Sequence, residues 1–124
     1  MILFGGKKKS ANPAHALGLK GEKMAKQYLK KQGYKIVESN FRVKAGELDL
    51  VVQKGEFLVF VEVKTRQSQS PLIQMTRAKC ERIRKLGQMY LEQKLISDLQ
   101  PRFDVIAITF DQGQAKLEHL ENAF

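Results

Sequence analysis

The chain has one cysteine, Cys80, and no tryptophan. A lone cysteine cannot close an internal disulfide, and it rules out a zinc site built from several thiolates. No apolar run approaches the ~20 residues that a membrane-spanning helix requires, so no membrane partner is expected. Met1-Ile2-Leu3-Phe4 is apolar but comes before Lys7-Lys8-Lys9. A secretory signal has the opposite order and a longer apolar stretch, so a cytoplasmic protein is expected. Acids are also scarce: 13 Asp and Glu stand against 22 Lys and Arg, for a net charge of +9. An excess of this size attracts polyanions, nucleic acid first. It is equally the charge of an ordinary soluble basic protein, so residue placement has to decide.

The 124 residues are enough for one domain with its own core and too few for two. Residues 1–12 carry no periodicity and are expected to form a flexible basic tail, with a single domain over 13–124. Asn12-Pro13 supplies an N-cap and a first-turn proline, and Gly33 a stop, so a helix is predicted from Pro13 to about Gln32. Leu17, Gly21, Ala25, Tyr28 and Leu29 form its inner stripe, with Glu22 at the border. Strands are predicted over Tyr34–Val43, Glu47–Gln53 and Phe57–Thr65, the last two joined by a turn at Lys54-Gly55-Glu56. After the polar stretch Gln67–Pro71, a second helix is expected from about Gln74 to Ser97, with Ile83, Leu86 and Tyr90 inward. Strands at Phe103–Phe110 and Ala115–Leu120 follow, joined by Asp111-Gln112-Gly113-Gln114. The order α-β-β-β-α-β-β predicts an α/β domain with a mixed central sheet flanked by helices.

The third strand is apolar on both faces at first, as a doubly covered central strand should be. Leu58 and Phe60 share a face that then continues as Glu62 and Lys64, with side chains roughly 7 Å apart along the chain. Charges at the edge of a core are costly unless they are paired or bind a ligand. A hairpin through Lys54-Gly55-Glu56 brings Asp49 close to positions 61–62. Two carboxylates suit a hard divalent cation, Mg2+ or Mn2+, and the Val63 carbonyl is a natural third ligand. Lys64 could then orient or deprotonate a water, or balance charge on a phosphate. The plain alternative for Glu62 and Lys64 is a strand-edge ion pair.

Asp49, twelve residues, then Glu62-Val63-Lys64 resembles the PD-(D/E)xK signature of restriction-endonuclease-like enzymes, although the Asp in Gly46-Glu47-Leu48-Asp49-Leu50 lacks the preceding proline. A wider match includes Gly21-Glu22, Asn40-Phe41-Arg42, Phe60 to Arg66, Arg102-Phe103-Asp104-Val105 and Asn122-Ala123-Phe124. Together these resemble the YraN, or UPF0102-type, family of small bacterial predicted endonucleases, which are similar to archaeal Holliday-junction resolvases. The resemblance implies a restriction-endonuclease-like three-layer fold and a catalytic set of Glu22, Asp49, Glu62 and Lys64. It also implies hydrolysis of DNA phosphodiester bonds, with structured or branched DNA a candidate substrate and a homodimer expected from the twofold symmetry of a junction. Arg66, Arg77 and Lys79 are the candidate phosphate contacts. A nucleic-acid-binding module of the same fold that no longer cuts is the alternative. Asp104 is expected to be structural, paired with Arg102. Tyr28, Tyr34 and Phe41 are expected in the core, and His15 and His119 at the surface.

Overall fold

The computed structural model describes residues 12–70, 72 and 74–124. The expected basic tail lies outside these residues except for Asn12. Helix α1 spans Pro13–Lys31, and the Asn12 side chain accepts hydrogen bonds from the Ala14 and His15 N–H groups, as its cap role requires. Strands β1 (Lys35–Val43), β2 (Gly46–Lys54) and β3 (Phe57–Gln67) follow, then helix α2 (Arg77–Gln93), β4 (Gln100–Asp111) and β5 (Gln114–Leu120). The element order matches the expected one.

The five strands form one sheet in the order β1-β2-β3-β4-β5. Every neighbouring pair is antiparallel except β3 and β4, which are parallel. A parallel pair needs a long crossover, and α2 provides it. The two helices cover opposite faces. Under α1 lie Leu50, Val52, Val59, Val61, Ile106 and Ile108 with Ala25 and Leu29 of the helix. Under α2 lie Leu48, Val51, Leu58 and Phe60 with Ile83, Leu86 and Tyr90. β3 is covered on both faces, in keeping with its continuous apolar run. Gly21 sets how closely α1 can lie on β3, because a Cβ there would collide with the Thr65 side chain.

Three elements differ from expectation by two residues or more. α2 is shorter at both ends. Thr76 accepts from the Lys79 N–H as an N-cap, and Leu95, just past the helix, takes φ 56°. β3 runs on to Gln67, held by parallel pairing of Gln67 with Phe110. β4 begins at Gln100 and carries Pro101 inside it. β5 joins β4 only from Val105 onward, so Pro101 sits where that side of β4 is open, and its missing N–H costs no ladder bond there. Among the described residues, no helix is long and apolar enough to cross a membrane.

Candidate functional site

The β2–β3 ladder runs from Lys54 opposite Phe57 to Leu50 opposite Val61. Beyond that point a side chain takes over, and the Val63 N–H donates to Asp49 Oδ2 at 2.9 Å. In an extended strand a residue's N–H and C=O point the same way, so the Val63 carbonyl looks toward this same edge. Glu62 follows Val61 on β3, and its charge acts on the Asp49 carboxyl. On its other side, Glu62 Oε2 lies 3.2 Å from Lys64 Nζ. The hairpin thus brings Asp49, Glu62, Val63 and Lys64 to one point, as the strand spacing predicts.

Glu22 approaches Asp49 from α1. It lines a cleft of about 370 Å³ with Asp49, Glu47, Asn40, Arg42 and His15. The Asp49 carboxyl is pushed up to about 7, first by burial and then by the charge of Glu62. The Val63 N–H works against this rise, while the contact with Glu62 and the charge of Glu22 add to it. An acid held against a second acid is stabilised by a cation, and hard oxygen donors suit magnesium, which commonly takes one or two carboxylates and keeps several waters. The donor set present therefore fits such an ion through Asp49, Glu62 and the Val63 carbonyl. Among the described residues, no three or more His, Cys, Asp or Glu side chains converge as a metal-binding group, so Glu22 stands apart from a direct-ligand set.

The three basic residues singled out from sequence do not gather here. Arg66 donates from its guanidinium to the Ser70 carbonyl at 2.8 Å and so ties down the start of the loop after β3. Arg77 pairs with Glu81 one turn along its own helix, at 3.5 Å and largely in water. Lys79 is half-buried near the α2 N-terminus. Asn40 is the residue that sequence reasoning overlooked at this cleft. It has φ 54°, a conformation that asparagine tolerates better than most residues, and that tolerance was the available signal.

A second polar cluster lies under α1, away from the cleft. Asp104 is fully buried. It accepts from Arg102 Nε and NH2 at 3.0 and 2.8 Å and from the Asn122 N–H at 2.9 Å. His119 Nε2 lies 2.8 Å from Asp104, and the His119 Nδ1 lies 2.9 Å from the Tyr28 hydroxyl. Arg102 also donates to the Tyr34 hydroxyl at 2.6 Å. The predicted Asp104–Arg102 pair is present. His119, expected at the surface, is instead enclosed, with only 7% of its side chain exposed. β5 pairs His119 with Ile106, which puts its ring on the α1 face of the sheet. His15 is exposed as expected.

The sequence profile of the uncharacterised protein family UPF0102 matches residues 21–108, well over half of the chain. The chain belongs to this family. The matched span encloses Glu22, Asp49, Glu62, Val63 and Lys64. A UPF0102 protein of Syntrophomonas wolfei is 45% identical over 111 residues, covering 87% of this chain and 96% of the relative. One from Geobacter metallireducens is 44% identical over 112 residues, covering 88% and 92%. One from Pelobacter propionicus is 47% identical over 113 residues, covering 86% and 81%. The names of these UPF0102 relatives specify no activity.

Proposed function

We propose that this protein is a metal-dependent endonuclease that hydrolyses DNA phosphodiester bonds, with structured or branched DNA as its substrate class. The observation that carries this reading is the geometry at the end of the β2–β3 hairpin, where Asp49 accepts from the Val63 N–H at 2.9 Å and the neighbouring Glu62 lies 3.2 Å from Lys64. The Asp49–x12–Glu62-x-Lys64 spacing, its resemblance to PD-(D/E)xK nucleases and the net charge of +9 support it. Magnesium or manganese, when bound, would make water a better nucleophile and stabilise charge developing on phosphate oxygens. Asp49, fixed by the Val63 N–H, and Glu62, steadied by Lys64, supply the carboxylates, and the Val63 carbonyl supplies a neutral oxygen. The Lys64 ammonium stands beside Glu62, where it can orient the attacking water or meet the scissile phosphate. Glu22, at the far wall of the cleft, acts through water. Arg66, Arg77 and Lys79 contact phosphates outside the cleft, in a cytoplasmic protein that pairs as a homodimer on a twofold-symmetric substrate.

The second reading is a nucleic-acid-binding module that does not cut. It is favoured by the lack of a third converging acid among the described residues and by the engagement of Asp49 Oδ2 with a backbone N–H. Incubation with four-way-junction, flap and linear duplex DNA separates the two readings, run with Mg2+, with Mn2+ and with a chelator. The nuclease reading expects cleavage only with metal, reduced roughly a hundredfold or more in Asp49→Asn and Glu62→Gln. Salt-sensitive binding without metal-dependent cleavage would establish the second reading instead.

A further inference from the structure

We propose that Asn40 is a positioning residue that decides which face of the sheet Asp49 presents. This deepens the nuclease reading and rests on it. Asn40 lies inside β1, flanked by the pairs Ser39–Leu50 and Phe41–Leu48, so it stands across the ladder from Asp49. Its φ of 54° is left-handed, a conformation that short polar Asn tolerates and that β-branched residues avoid.

Both strands change phase at this point. In a regular strand, residues three apart point to opposite faces. Glu38 nonetheless accepts from the Tyr90 hydroxyl at 3.1 Å, while Phe41 packs edge-on against the same Tyr90 ring with centroids 5.0 Å apart. On the partner strand, Leu48 and Val51, again three apart, both lie under α2, whereas Leu50 lies under α1. Strict alternation inward from Val51 would send the Asp49 side chain beneath α2. The phase change sends it into the cleft with Glu22 and keeps it on the Val63 N–H. Asn40 holds that change in place, and the hydrogen bond between Asp49 and the Val63 N–H depends on it.

The test compares Asn40→Gly, Asn40→Asp and Asn40→Val with the parent by amide hydrogen exchange at Val63 and by Mn2+ affinity. Gly and Asp accept the left-handed conformation and should keep parental Val63 exchange, and Gly, which adds no charge to the cleft, should also keep Mn2+ affinity. Val should speed Val63 exchange roughly fivefold relative to other β3 amides, as loss of one hydrogen bond does. It should also weaken Mn2+ binding roughly tenfold or more. If the Val variant does not fold, Asn40→Ala carries the same backbone conflict with less bulk and is read the same way. The proposal is overturned if a folded Val or Ala variant keeps parental Val63 exchange, or if Asn40→Gly loses it. Should the parent bind Mn2+ and cut no DNA, the nuclease reading fails while Val63 exchange still decides the role of Asn40.

Discussion

Asp104 and Asp49 are two acids on one sheet with opposite surroundings. Asp104 is fully buried, which alone would raise its pKa. Hydrogen bonds from Arg102, the Asn122 N–H and His119 outweigh burial and hold the carboxyl below its ordinary value of 3.8. Asp49 is half-buried, has one N–H donor and faces Glu62, and it is pushed up to about 7. The first site is fully satisfied and ties β4 to β5 and the C-terminal residues. In the second, Lys64 offsets the charge of Glu62, while Asp49 faces that acid with a single N–H donor of its own. Structural ion pairs have partners of opposite charge, whereas perturbed like-charge pairs in clefts are where binding and chemistry concentrate. That contrast is why the functional proposal rests on Asp49 and not on the more deeply buried Asp104.

Truncating each acid tests the contrast most strongly. Asp104→Ala should cost about 3 kcal/mol in urea denaturation, because it removes the buried counter-charge of Arg102 and leaves only the more exposed Glu121 at 3.8 Å. A cost below about 1 kcal/mol would remove the distinction. Asp49→Asn should leave stability at pH 8 unchanged or raise it by about 1 kcal/mol, since it relieves repulsion. Its DNA cleavage should nonetheless fall roughly a hundredfold.

The two acids also give opposite pH signatures. The folded-state pKa of Asp49 is above its unfolded value, so the native state binds the proton more tightly. Its contribution therefore weakens folding as pH rises from about 4 to about 7 and is level above that. Denaturation across this range should show a decline of at most a few kcal/mol in the parent that Asp49→Asn flattens. The depressed pKa of Asp104 acts the other way: its stabilisation is present above the ordinary carboxylate value and is lost as pH falls below it. An Asp49→Asn profile that follows the parent through pH 4–7 would break the assignment. The smallest effect belongs to Arg77, whose exposed pair with Glu81 should be worth under about 0.5 kcal/mol. In DNA binding, Arg77→Ala should lower the salt slope by about 1 if this residue meets a phosphate.

Local signals carried much of this organisation. Asn12-Pro13 marks the start of α1, Gln112 and Gly113 with φ 49° and 80° make the last hairpin, and the short turn after Lys54 brings Asp49 to Glu62. What local reading could not supply was long-range or aperiodic. His119 gains its enclosure from Tyr28 and Asp104, residues 91 and 15 positions away, so no nearby pattern betrays it. The phase change at Asn40 breaks the period of two on which face assignment relies. The strand expected from Phe103 begins at Gln100 and takes in Pro101, because its neighbour β5, which leaves that stretch of β4 open, is distant in sequence.

The central claim is that Asp49 and Glu62 hold a divalent cation. Anomalous scattering from a crystal soaked in manganese tests it directly. The account predicts an ion between the two carboxyls, in contact with the Val63 carbonyl and absent from an Asp49→Asn crystal soaked in the same way. Saturating manganese with no ion at that position, or an ion bound there equally in both crystals, would contradict it.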